Sequence, residues 1–581
     1  GNGSQQVVLS GTVALTRSSG LNPPPAVLME GGKLLMQGGL LTGTGALALR
    51  KGAELALASN DIFFGGDLQL DGVNVTGSPL VNRNQLRLAD TSVFGDIDNR
   101  GQTALVLSNT IGGKLLTAAG STLRFAPGAD GELVRLRVNG EISNSGALVL
   151  TSTSALSNWE WLISTPMLTN RPGGQINVAL SQARAVFGGQ VINQGVFNLD
   201  GATILTTTDV VHTNTGTINL AGGFLDAANS DFVNLGVFNF SGTSPAEVTE
   251  RPGAPWAGPG EGGLWDARSI TNGPGGNINA GPGVLSAKAG APRPMSINRY
   301  RINGELRNHG TLNVSAELTV TYPGAVHSNA GVIQINDGFL STPESLNNSG
   351  VINFNGLTAT ASAQQPLIQG RGIWIHSDAL TNTMSGTLNI HASAIDGVRI
   401  EAQLANQGTL NVNATMVLTQ AGSTHTNTGT INLNNDLEIG GEFSNNGVMN
   451  FGSATFNAPS APAQGFRVIG QSGLLANGPG GTINALQHAV VEAQLLNQGT
   501  LNVNATMVLT QAGSTHTNTG TINLHNDLEI GGEFSNAGVM NFGTATLNAP
   551  SAPAQTFRYI GHSGLLANGP GGTINALQHA V

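Results

Sequence analysis

The chain has 581 residues but only 24 Lys and Arg and 34 Asp and Glu, for a net charge of -10 at pH 7. A charged share of 10% beside 82 glycines is foreign to a globular enzyme, and 39% hydrophobic residues are too many for a disordered polyelectrolyte. So few basic residues argue against a nucleic-acid surface, no stretch reaches the roughly 20 apolar residues of a membrane helix, and the lack of Cys removes disulfides and thiolate metal sites.

Residues 1–140 show short apolar runs between glycines, as in GGKLLMQGGLLTGTGALALRKGAELALAS, without a clear cycle. They read as divergent coils that begin or cap an array, or mediate its assembly. The first residue is Gly1 rather than Met, so a processed chain or a fragment is expected. Weak forms of a recurring motif, Asn-x-Gly followed by four alternating residues, start at Asn82, Asn99 and Asn144, and Asn170 lies in LTNRPGGQINV. Residues 141–400 then carry two diverged cycles of four: Asn193, Asn214, Asn234 and Asn272, followed by Asn308, Asn329, Asn348 and Asn382.

In residues 401–491 the four variants are plain: Asn406 (LANQGTLNV), Asn427 (HTNTGTINL), Asn445 (FSNNGVMNF) and Asn477 (LANGPGGTINA). Residues 492–581 repeat them at Asn497, Asn518, Asn536 and Asn568. Glu401 returns as Glu492, 91 residues on, with eight differences over the 90 positions that can be compared. The array is expected to continue beyond residue 581.

In TLNV after Gly408, Leu410 and Val412 share one face while Thr409 and Asn411 take the other. Asn tolerates, and Gly supplies, the left-handed backbone of a corner. A two-residue period renewed every 18 to 24 residues, or every 32 to 38 before the fourth variant, is one coil of a solenoid. The expected fold is therefore all-β, a parallel β-helix (β-solenoid), right-handed by the crossover preference. About 20 to 25 coils at about 4.8 Å each would make an elongated rod on the order of 100 Å long.

The motif Asn lies two positions after an apolar residue, as at Leu404, Phe443 and Leu475, so both point inward, where stacked amides on successive coils can bond one another. His212, His327, His425 and His516 share an inward position, but four coils, about 19 Å, separate consecutive members. That distance defeats a shared metal and favours core histidines. Thr-x-Thr in HTNTGT recurs on one coil in four, too sparsely for a continuous threonine face that orders ice. Asp436, Glu438 and Glu442, repeated as Asp527, Glu529 and Glu533, read as a solvated stripe before they read as a calcium site. Asp226, Asp231, Asp266 and Arg268 form the richest charged cluster. No catalytic, metal or cofactor-binding residue is assigned, because the unit 401–491 holds only Glu401, Asp436, Glu438, Glu442 and Arg467 as charged groups.

All five tryptophans precede a fourth variant. Trp161, Trp265 and Trp374 are expected in the core of an extra strand. The Pro- and Gly-rich PGAPWAGPGEGGLW, residues 252–265, is expected to protrude as a loop that offers Trp256 for contact.

The coils N-x-G-[TV]-[ILF]-N-[LVF], from about residue 140 onward, resemble those of bacterial secreted β-helix surface proteins, the filamentous-haemagglutinin-type adhesins and autotransporter passengers. NPN-type export motifs of the two-partner kind are missing. The resemblance implies an extracellular location at the bacterial cell surface or in biofilm matrix, and a structural fibre that self-associates end to end or laterally. A glycan- or receptor-binding adhesin and a polysaccharide-degrading β-helix enzyme are the alternatives.

Overall fold

A computed structural model describes residues 6–11, 13–15, 27–59, 62–126, 134–152, 160–221, 223–241, 261–281, 299–336, 338–355, 373–391, 398–418, 423–452, 454–457, 474–509, 515–530, 532–543, 547–548 and 566–576. The chain divides into two compact units, Gly1–Gly304 and Glu305–Val581. Among the described residues there is no helix, and the strands pair in parallel, as in a β-solenoid.

Alternation builds the strands. In Thr217–Leu220 and Thr430–Leu433, both TINL, Ile and Leu are buried while Thr and Asn face outward. Each coil carries three such strands, and each strand pairs with its counterpart one coil on. In the second unit, Thr424–Asn427 pairs with Glu442–Asn445, Thr430–Leu433 with Val448–Phe451, and Leu437–Ile439 with Ala454–Asn457. The same three stacks run through the first unit, as in Ile97–Asn99 on Leu115–Thr117, Gln102–Val106 on Thr122–Phe125, and Ser108–Ile111 on Arg135–Val138. We call first the stack whose strands end in the motif Asn, second the one that follows the glycine, and third the remaining one.

The corner between the first and second stacks holds consecutive coils together. The carbonyl of Asn193 accepts the N–H groups of Thr215 (2.7 Å) and Gly216 (3.1 Å) on the next coil, and that of Asn406 accepts those of Thr428 (2.8 Å) and Gly429 (3.1 Å). Gly216, Gly429 and the motif asparagines do not have positive φ, so the left-handed corner expected from sequence is corrected. A Cβ on Gly216 or Gly429 would stand 2.1 Å from the carbonyl oxygen of Gly195 or Gly408. Glycine is required there by the close approach of two coils. Left-handed glycines occur at other positions, among them the Pro-Gly corners at Gly173, Gly275 and Gly324.

Between the stacks of each unit lies a core. In the first unit Trp265 lies flat on Phe238, centroids 4.0 Å apart, with Phe232 edge-on at 4.9 Å, and Trp161 packs beside Phe125. In the second unit the core runs through columns such as Leu410, Ile431, Met449 and Ile483, all buried. Each such side chain contributes about 1.5–3 kcal/mol by leaving water. Trp374 departs from the expected core position: Ile373 and Ile375 of the same strand point inward, which by alternation turns Trp374 out. The expected loop at 252–265 is corrected in part, because Glu261–Asn272 is a strand with Trp265 inside. Trp256 lies outside the described residues.

Candidate functional site

The motif asparagines form a column of amides inside the first stack, buried except at Asn568, the exposed last member. In the first unit each Nδ2 donates to the Oδ1 of the next coil, through Asn144, Asn170, Asn193, Asn214, Asn234 and Asn272, at 2.7–2.8 Å. In the second unit the column runs through Asn308, Asn329, Asn348, Asn382, Asn406, Asn427, Asn445, Asn477, Asn497, Asn518, Asn536 and Asn568, at 2.6–2.8 Å. The second amide hydrogen reaches the backbone of the following coil, as from Asn193 to the Thr217 carbonyl (3.0 Å) and from Asn406 to that of Thr430 (3.2 Å). These bonds contribute about 0.5–1.5 kcal/mol each.

One rung is foreign. Asn82 bonds Asn99 at 2.9 Å, but the position between Asn99 and Asn144 is Thr117. Threonine is too short to bridge two coils, and both Thr117 Oγ1 and Asn144 Oδ1 are buried without a partner.

A second amide column, which the sequence reading passed over, lies on the outward face of the second stack. Its residues come five positions after the motif Asn, or seven where the corner is longer. In the first unit it links Asn177, Asn198, Asn219, Asn239 and Asn279, each bond 2.8 Å. In the second unit it runs unbroken through Asn353, Asn389, Asn411, Asn432, Asn450, Asn484, Asn502, Asn523, Asn541 and Asn575 at 2.8–2.9 Å. Here each amide donates to the coil before it, so the two columns run with opposite polarity. The fixed second Asn in N-x-G-T-I-N-L was the available signal. An outward residue looked merely solvated, and nothing in a single coil reveals that its neighbours are its partners.

The four histidines replace a piece of the backbone ladder. Nδ1 of His212, His327, His425 and His516 accepts the N–H of Val191, Leu306, Leu404 and Leu495 on the preceding coil, at 3.1–3.2 Å. All four are fully buried. Burial pushes His212, His425 and His516 down to about 4, and it lowers His327 against the opposing pull of Glu344. The neutral ring, with its proton on Nε2, is the form that fits.

Several charged side chains pair with one another. Arg268 grips Asp231 through two nitrogens (3.0 and 2.7 Å) and Asp209 through a third (2.8 Å). These hydrogen bonds raise its pKa further. Asp226 stands one coil from Asp266, away from that clamp in register. Glu438 belongs to the strand Leu437–Ile439 and Glu442 to the next, Glu442–Asn445, so Asp436, Glu438 and Glu442 do not project from one strand as sequence suggested. Among the described residues no group of three or more His, Asp or Glu is arranged to hold a metal ion. On the outward face of the third stack, Arg399 covers the Trp374 ring (4.7 Å) and pairs with Glu401 (2.6 Å), which also meets His376 (3.2 Å).

No protein-family model matches the chain, and no curated protein matches it.

Proposed function

We propose that this chain is an extracellular structural element of a bacterial surface or biofilm matrix, a filament-forming β-solenoid whose work is mechanical. The observation that carries this reading is the pair of amide columns. Nearly every coil from Asn144 onward spends two side chains on bonding the next coil, and ion pairs such as Arg268–Asp231 and Arg399–Glu401 tie charges to one another. Such a molecule resists local opening, since each coil is held by backbone, core and amides together. No catalysis belongs to this reading.

Electron microscopy of the full chain tests it. Filaments of uniform width, formed end to end by strand pairing and resistant to protease, are expected. Short monodisperse particles at high concentration count against assembly.

The outward-facing, half-buried Trp374 with Arg399, His376 and Glu401 favours a second reading, an adhesin that contacts glycans or a receptor. Glycan-array binding lost in Trp374→Ala would support it. Reducing-sugar release from common polysaccharides would instead revive an enzyme.

A further inference from the structure

We propose that the outward face of the second stack in the unit Glu305–Val581 is a self-association surface, and that its occupant is the same face of a second copy of this chain. The proposal deepens the filament reading and rests on it.

The face is chemically uniform. From Val351–Phe354 to Thr573–Ala576 each strand presents a Thr or Val and then an Asn outward, and none presents a charge. The other two stacks of the same coils are different. Glu442 and Glu533 lie on the first, and Arg399, Glu401, Glu438 and Glu529 on the third. A chain of net charge -10 repels its copies through those faces and least through this one.

The face is also self-complementary. Within the column from Asn353 to Asn575 an amide gives one N–H to the coil before and accepts one from the coil after, as Asn432 does with Asn411 and Asn450. One N–H and one oxygen lone pair remain, a donor and an acceptor per coil, and an identical column offers the same pair in return. The ladder already fixes the Asn side chains, so docking costs little rotamer entropy. Beside them the β-branched Thr and Val supply methyl groups that pack between facing strands, as in paired sheets with amide ladders. The pairings from Val351–Phe354 to Thr573–Ala576 run without a bulge, so the spacing stays regular.

The size fits a concentration-dependent contact. Ten coils at about 4.8 Å give about 48 Å, and four residues at about 3.3 Å give about 13 Å. The face thus covers about 600 Å², or about 1,200 Å² from two copies, the lower end for a specific interface.

Sedimentation equilibrium of the full chain over a wide concentration range is the test, with Thr430→Lys/Thr500→Lys as the face variant and Ser444→Lys on the first stack as control. The face variant leaves the Asn column intact, and circular dichroism checks its fold. Reversible face-to-face pairing, of single chains or of chains already joined end to end, is expected, weakened at least about tenfold by Thr430→Lys/Thr500→Lys, since each copy then brings like charges to a face that had none, and unchanged by Ser444→Lys. A wild-type chain monomeric throughout overturns the proposal, as does equal weakening by both variants. Retention on insoluble polysaccharide, or shaping of ice crystals, by a chain that does not dimerise assigns the face to another occupant and also overturns it. Microscopy separates the two readings: filaments that never pair leave the filament reading standing and sink this face, while dimers without filaments do the reverse.

Discussion

Lowering the pH from 7 to 4 should weaken the fold through its buried histidines, by an amount the structure sets. Each His Nδ1 accepts a backbone N–H from the coil before, so the ring must be neutral in the folded chain. In the unfolded chain His titrates near 6.5, whereas His212, His425 and His516 are pushed down to about 4 by burial. Between those values the unfolded state binds more protons, so stability falls as pH falls; it is fully present above about 6.5 and the loss is complete near 4. A gap of about 2.5 pH units at about 1.36 kcal/mol per unit gives about 3–4 kcal/mol per histidine. His425 and His516 together should therefore cost the second unit about 7 kcal/mol. The assay is guanidinium unfolding followed by circular dichroism at pH 7, 5.5 and 4, on the wild type and on His425→Asn/His516→Asn. An Asn oxygen can take the place of Nδ1 as acceptor without titrating. The variant should start less stable at pH 7 and lose less on acidification. Comparing the two chains cancels the carboxylates, which titrate alike in both. An equal drop in the variant, or no drop in the wild type, refutes the reasoning.

Three further changes probe the columns and the corner. Asn427→Ala strips Asn406 of its acceptor and Asn445 of its donor inside the core; two orphaned groups at about 1–3 kcal/mol each should lower the urea midpoint clearly. Thr117→Asn should do the opposite, joining Asn99 to Asn144 and rescuing an orphaned oxygen, with a gain of about 1 kcal/mol read as a rise in Tm. Gly429→Ala places a Cβ 2.1 Å from the Gly408 carbonyl oxygen and should cost more than Gly324→Ala, which meets no atom within 4 Å and bears only the left-handed backbone penalty of about 1–2 kcal/mol. Paired urea melts of the two glycine variants decide it.

The coil was legible in the sequence because its signals are local. TINL and VMNF declare a strand with one buried face in four residues, and the 91-residue return of Glu401 as Glu492 declares stacking. What was not legible depends on the coil next door. The reason for Gly429 is a carbonyl that belongs to Gly408, one coil earlier, so a rule about φ supplied the wrong cause for the right residue. Trp374 was misplaced for a related reason: a tryptophan is assigned inward by its size, while its real partner, Arg399, lies on the following coil's outer face. The outer column of Asn411, Asn432 and Asn450 escaped because an outward polar residue is ordinarily spent on water.

The spacing of charge explains why the repeat unit is four coils rather than one. In a stack of identical coils any carboxylate would face its own copy about 4.8 Å away, and like charges directly opposite are destabilising. In residues 401–581 the variants remove that conflict, which persists in the first unit where Asp226 stands opposite Asp266. On the first stack, Glu442 lies against Thr424, and Glu533 against Thr515. Glu442 and Glu533 sit 91 residues apart, with the strands Leu474–Asn477, Gln494–Asn497 and Thr515–Asn518 stacked between them. Four coils are about 19 Å, more than twice the Debye length of about 8 Å at physiological salt, so the two carboxylates scarcely interact. The histidines obey the same spacing, which keeps His425 and His516 from titrating as a coupled pair. Amides carry no such restriction. A neutral donor–acceptor group is stabilised by its own copy on the next coil, so Asn recurs on nearly every coil while on the first stack of residues 442–536 Glu recurs on one in four.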